Sequence, residues 1–421
     1  MKLFSDFNVV NINSKAKEKV LYTKIPATKK RIDHIETVNH QVVEIMKLFR
    51  NLELLKHKSC HLFSWGRLGQ LSEAAHIAMI GQICTDTCLD LALNIHEGMT
   101  TDRILNYLCV SGLCLYANSE KIIHECCDDK TSRRLCNGDR QVYLPAYNIM
   151  RHVRTKENCS LQLDKIVLNA YRCVLGVAVD PNVTLQGAIS YAHTILADIG
   201  KTLKTFGIYE TTFVEVVKRV FSVLKGRWGY VSLLYDLAAV SRQSRLSNKV
   251  RKETVTEHVA FVGQICAHIY PCLSKNIRKR IDLGHALALA FVHDTPEALV
   301  GDTYSYAPNF SKNRKYLKER AAAFKIGQTL GGSTGRRFVA RWEEYEERAS
   351  DEAVYVKVCD QIAAALQNLF SNGYLWLRDS HTKTNFLSDT KLAAEFDIIT
   401  SKLVGHVFDI AVNSNYLSLN E

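Results

Sequence analysis

The sequence predicts an all-α protein built from tandem helical domains, and three observations carry that prediction. Only six prolines interrupt the 421 residues, at positions 26, 145, 181, 271, 296 and 308. Between them, apolar residues recur three and four apart, as in Val216–Val220–Val223 and Ala363–Leu366–Leu369–Phe370, which is the spacing of one helix face. No series of alternating apolar and polar residues joined by Asn-Gly or Asp-Gly turns runs through the chain, so at most short hairpins within loops are expected.

Length and charge narrow the function. At 421 residues and 47% hydrophobic content the chain exceeds one ordinary core, which favours two to three domains. No run of 18 apolar residues exists, and the opening MKLFSDFNVVNINSKAKEKV lacks the apolar centre of a signal peptide. A soluble, cytoplasmic protein without a membrane partner is therefore expected. The 54 basic and 43 acidic residues leave a net charge of +11, which favours anionic partners without saying whether these are nucleotides, nucleic acid or a membrane surface. An odd count of 13 cysteines, ten of them before residue 180, points to reduced thiols and not to a disulfide framework. His124, Cys126, Cys127 and Cys136 cluster without a second ligand pair at zinc spacing, so no structural zinc is expected there.

Taken in order, residues 1–30 form a basic arm. A helix from about Ile32 to Leu55 turns Ile35, Val38, Val42, Ile45, Met46, Leu48 and Phe49 to a core, and another runs from about Ser72 to Leu93. Residues 118–147 turn polar and irregular, the mark of a long insertion. Helices resume at about Leu161–Val177, break at VAVDPNVTLQ, and end near Lys225, where Gly226 and Gly229 place a boundary. The expected units are thus 31–226 and 227–421.

An internal repeat links those units. HIAMIGQIC at 76–84 aligns without gaps on HVAFVGQIC at 258–266, each copy with a nearby glutamate, Glu73 or Glu257. A duplicated helical domain follows from such a match. In that register His293-Asp294 falls on Ser111-Gly112, and Asp360 on Ala178, none of which replaces a metal ligand. Asp180, reached by a two-residue slip, does not restore the pair, and only an insertion moving His124-Glu125 into place would. The amino-terminal unit therefore reads as a degenerate copy that keeps the packing of its twin.

Chemistry concentrates in FVHDTPEALVGD at 291–302. An adjacent imidazole and carboxylate, His293 and Asp294, suit one divalent cation, which needs further ligands from other helices. His258 lies on an apolar helix face, where a lone imidazole is costly, and Asp360 follows an apolar run in VYVKVCDQIAAAL, where a buried charge needs a cation. A cation held by two imidazoles and two carboxylates keeps a position open for water and lowers its pKa. Glu297, one turn beyond Asp294, is placed to orient that water or to protonate a leaving alkoxide. Thr295-Pro296 reads as a helix N-cap with proline first, aiming amides at a phosphate.

The order His, His-Asp, Asp, with VTEH at 255–258, HDTPEALVGD at 293–302 and VKVCDQIAAAL at 356–366, resembles the HD-domain metal-dependent phosphohydrolases, and more narrowly the bacterial HD-domain 5′-deoxynucleotidases. The resemblance covers about residues 230–400. It implies one divalent ion, Mn, Co, Zn, Fe or Ni with Mg as a further candidate, on His258, His293, Asp294 and Asp360. It also implies Glu297 as catalytic carboxylate, Asp302 as a second essential acid, and Arg242 as the arginine that binds substrate phosphate, with Arg245 as its rival. The family carries tryptophan where this chain has Gln243, so a deoxyribose preference does not carry over. The implied activity removes the 5′-phosphate of (deoxy)nucleoside monophosphates. A dNTP triphosphohydrolase or a phosphodiesterase of cyclic or oligonucleotides is the alternative within the class. A protein that sequesters nucleotide or nucleic acid on an HD scaffold is the alternative outside it, and assembly into a homo-oligomer stays open.

Overall fold

A computed structural model describes residues 29–57, 71–87, 210–304 and 311–418, together with 186, 189 and 190. The expected basic arm, the insertion near 118–147 with its cysteines, the helix at Leu161–Val177 and the repeat-register positions 111, 112, 178 and 180 lie outside them.

Within the described residues the architecture is helical with one two-stranded hairpin. Helix α1 spans Lys29–Glu53 and continues as a 3-10 turn, Leu54–Lys56. Val38, Val42, Ile45, Leu48, Phe49 and Leu52 form its buried stripe, while Met46 is only partly covered and the side chain of Ile35 lies outside the description. Helix α2, Glu73–Thr87, is the first repeat copy, and Ala74 through Thr87 are all buried. Helices α3 (Glu210–Lys225) and α4 (Trp228–Ala239) meet at the Gly226–Arg227 turn.

Strands β1 (Ser241–Arg245) and β2 (Lys252–Thr254) pair antiparallel, and Lys249 at φ 60° closes the loop between them. Helix α5, Val255–Ile269, is the second repeat copy and is buried over its whole length. Its start is set by a capping box: Thr254 Oγ1 accepts from the Glu257 amide at 3.3 Å, and Glu257 Oε2 accepts from the Thr254 amide at 3.0 Å. Helix α6 (Leu283–Val292), the single turn α7 (Glu297–Val300), α8 (Lys312–Leu330), α9 (Gly332–Glu347) and α10 (Asp351–Phe370) follow. Four shorter or peripheral helices complete the chain: α11 (Tyr374–Arg378), α12 (Lys383–Asp389), α13 (Lys391–Phe396) and α14 (Ile398–Asn413).

Helix α5 is the axis of the packing, with α1, α2, α6 and α10 around it. A helix apolar on all sides can be satisfied only in such a central position. The repeat glycines explain how α2 and α5 approach α6. A Cβ on Gly81 would lie 2.4 Å from the Phe291 ring, and one on Gly263 would lie 3.1 Å from it. One aromatic ring thus wedges between the two copies at their matching positions. Residues from α1, α2 and α3 share one continuous apolar core with those of α5, α6 and α10. No helix among the described residues is long and apolar enough to cross a membrane.

Candidate metal centre

Four elements converge at one end of α5. The capping box fixes its first turn, where His258 is 1% exposed. His293 stands at the C-cap of α6, still in helical conformation, with Asp294 in the turn that follows. Asp360 comes from the middle of α10, and Glu297 opens α7.

The distances define a cluster. His293 Nε2 lies 3.2 Å from Asp294 Oδ2, His258 Nε2 lies 3.8 Å from the same oxygen, and the two rings are 5.7 Å apart. His258, His293 and Asp294 each offer a ligand atom within 4.8 Å of the others. Asp360 is outside that trio but joined to it, with Oδ1 2.9 Å from His258 Nε2. Its Oδ2 accepts from Lys357 Nζ at 2.8 Å and from the Tyr345 hydroxyl at 3.1 Å.

The donor set fits a divalent cation. His293 Nδ1 is 2.7 Å from the Ala290 carbonyl, which fixes the proton there and turns the Nε2 lone pair to the cluster. That buried Nε2 makes no well-formed hydrogen bond among the described residues, only the 3.2 Å approach to Asp294 Oδ2, and a cation between the two would satisfy both. Burial and the nearby Arg242 guanidinium lower the His258 pKa, which keeps the ring neutral as a ligand must be. Burial opposes the charge on Asp294, yet His293, His258 and Arg242 hold its carboxyl far below the ordinary range. Burial and Asp294, by contrast, push Glu297 well above it, against Lys315 and Arg242.

The hairpin separates the two arginines that sequence leaves as rivals. Arg242 turns inward, with Nη1 3.4 Å from Asp294 Oδ2 and Nε 3.5 Å from Glu253 Oε2. Arg245 turns away: Nη1 donates to the Lys249 carbonyl at 2.8 Å, and its guanidinium stacks 5.0 Å from the Tyr374 ring. Strand alternation accounts for the difference. Ser244 shares the inward face with Arg242, while Gln243 shares the outward one and accepts from Lys252 at 3.1 Å. Asp302 follows Gly301, whose φ of 75° reverses the chain, and its charge acts on Arg242 and Glu297.

The expected N-cap at Thr295 is a correction. Pro296 occupies the cap position without a side-chain bond, and the amides of Glu297 and Ala298 already donate to the Asp294 and Thr295 carbonyls. A single turn continuing the path of α6 needs no fresh cap. Thr295 instead accepts from Gln82 Nε2 of α2 at 3.2 Å. Sequence reasoning also missed two lysines. Lys357 is readable as a cation one turn before Asp360, whereas Lys315, 3.5 Å from Glu297 Oε1, enters from α8 with no local signal.

The HD domain family matches residues 235–398, which include every residue of the cluster. The chain is similar to 5′-deoxynucleotidase HDDC2 of Homo sapiens (32% identity over 146 residues, 33% of this chain and 68% of that protein). It is also similar to those of Mus musculus (38% identity, 33% and 66%) and Dictyostelium discoideum (33% identity, 30% and 60%). It thus spans between 60% and 66% of the length of the latter two. A predicted metal-dependent phosphohydrolase of Magnetospirillum magnetotacticum, 21% identical, superposes over 46% of this chain and 98% of its own with a TM-score of 0.41. The family implies a divalent metal, for which the cluster supplies the donors, and the 32% identity over 68% of the human relative places the chain in the HD-domain family.

Proposed function

We propose that the chain is a metal-dependent phosphohydrolase that removes the 5′-phosphate of (deoxy)nucleoside monophosphates. The observation that carries this reading is the convergence of Arg242 and Glu297 on the cluster formed by His258, His293 and Asp294. The relatives named 5′-deoxynucleotidase support the substrate class.

His258, His293, Asp294 and Asp360 would hold the ion, drawn from Mn, Co, Zn, Fe, Ni or Mg. Bound there, it supplies positive charge that polarises a phosphoryl oxygen and acidifies water. Arg242 presents its guanidinium to the phosphate and neutralises charge that grows on the equatorial oxygens. Glu297 holds a proton in its buried position and gives it to the leaving alkoxide as the P–O5′ bond breaks and water adds to phosphorus; Lys315 stabilises the carboxylate that remains until it takes up the proton that this water loses. Asp302, whose charge acts on both Arg242 and Glu297, would help to hold the guanidinium at the phosphate site. Gln243 and Arg245, on the outer strand face, are assigned no contact with phosphate. The division into a catalytic unit, 227–421, and a degenerate HD-like unit, 31–226, belongs to the same reading, as does a cytoplasmic location.

The test is a panel of nucleoside mono-, di-, tri- and cyclic phosphates with added manganese or cobalt. Orthophosphate released from monophosphates, and lost in Asp294→Ala and Glu297→Ala, is expected. Inorganic triphosphate as product, or no turnover with nucleotide binding that survives Asp294→Ala, overturns the reading.

A further inference from the structure

A lysine outside the family-matched residues is buried beneath the hairpin that carries Arg242. Lys56, 1% exposed, ends the 3-10 turn after α1. Its Nζ lies 2.5 Å from Glu253 Oε1, 2.6 Å from Gln367 Oε1 and 4.1 Å from the centre of the Phe261 ring. Glu253, also 1% exposed, is the inward residue of β2, and its other oxygen accepts from Ser244 at 2.7 Å and faces Arg242 Nε at 3.5 Å. One buried carboxylate therefore serves two cations, one from each half of the chain. The grip extends along the hairpin. Glu53 accepts from the Ser247 amide at 2.9 Å and hydroxyl at 2.7 Å, and the Lys56 carbonyl accepts from Arg251 Nη2 at 2.6 Å.

We propose that Lys56 is a positioning residue for Arg242, acting through Glu253, so that the amino-terminal half completes the phosphate-binding site. The proposal rests on the reading of Arg242 as the phosphate arginine. With Lys56 neutralising Glu253, the guanidinium is free to lean toward Asp294 and a phosphate beside it. Without Lys56, the uncompensated carboxylate draws Arg242 back against β2. Burial alone would raise the Glu253 pKa, yet Lys56, His258 and Arg242 hold it at about 2, in keeping with a carboxylate shared among cations.

The experiment measures binding of inorganic orthophosphate to the manganese-loaded full chain, and kcat and KM on a nucleoside 5′-monophosphate. Lys56→Met keeps the apolar stem over Phe261 and removes the charge. It is expected to weaken phosphate binding by roughly tenfold, the scale of one charge-assisted hydrogen bond, and to lower kcat/KM at least as much, because Arg242 also meets charge that grows in the transition state. In an Arg242→Ala background the same change should matter less than about twofold. Should Lys56→Met lack a cooperative melting transition, Glu253→Gln is compared with Lys56→Met/Glu253→Gln, which bind phosphate alike if Lys56 acts through Glu253. Unaltered binding in folded Lys56→Met, an equal loss with Arg242 absent, or a double variant several-fold weaker than Glu253→Gln overturns the proposal. A wild type that binds phosphate without hydrolysing any nucleotide removes the nucleotidase reading and leaves the Lys56 assignment standing, whereas absence of phosphate binding removes both.

Discussion

Helices α2 and α5 carry nearly the same nine residues, yet only α5 contributes a histidine to the proposed metal centre. Ala74 through Thr87 and the whole of α5 are buried, and both helices set a glycine against Phe291. They also start side by side, since Ser72 donates to Glu257 at 2.5 Å. His258 faces Asp360 and Asp294, contributed by α10 and the turn after α6, and is backed by a hairpin with Arg242. The glutamines diverge too: Gln82 reaches Thr295, while both amide atoms of buried Gln264 have no partner among the described residues. The shared motif therefore encodes helix packing around one aromatic ring. The motif contributes His258 to the proposed metal centre, but His293, Asp294 and Asp360 lie outside it, far away in sequence.

Variants that treat the copies alike break or sharpen this contrast. The largest effect is expected on turnover, where His258→Ala should cost more than ~100-fold while His76→Ala keeps the rate within a few-fold, measured with manganese and a nucleoside monophosphate. Glycine substitutions come next and act on stability. Gly81→Ala places a methyl 2.4 Å from the Phe291 ring and should destabilise by about 1–3 kcal/mol in denaturant titration. Gly263→Ala, at 3.1 Å, has to displace the ring only slightly, and its gain in helix propensity of up to about 1 kcal/mol offsets most of the cost.

Acid should loosen the attachment of α1 to the hairpin. Burial disfavours the Glu53 carboxylate, but His57 and Lys56 hold its pKa at about 2, against an ordinary 4.5. Since the folded pKa is depressed, the stabilisation is full above pH 4.5 and is lost as pH falls toward 2, at most about 3 kcal/mol for this group. Melting curves of Glu53→Gln should show a correspondingly flatter decline over that window. The smallest effects belong to the glutamines. Gln82→Leu should lose about 1 kcal/mol with its hydrogen bond to Thr295, whereas Gln264→Leu should be neutral or stabilising.

Much of the fold was legible because helical periodicity is local. The stripe of α1 from Val38 to Phe49 and the apolar run of α10 read directly from spacing. The cluster was legible for a related reason: carboxylates and imidazoles stand out when embedded in apolar runs, as Asp360 and His258 do. Three things were not legible. The inward turn of Arg242 and outward turn of Arg245 depend on a hairpin too short to show alternation in sequence. The path of Thr295 depends on α7 being one turn long. Lys56 appears in sequence as an ordinary solvated lysine, and only tertiary packing shows it beneath Glu253.

The most direct test of the asymmetry between the copies is metal stoichiometry in the purified full chain, by elemental analysis after loading with manganese. One ion per chain, absent in Asp294→Ala and retained in His76→Ala, is the predicted result. An ion that stays in Asp294→Ala, or leaves with His76→Ala alone, would contradict the placement of the centre on α5, α6 and α10.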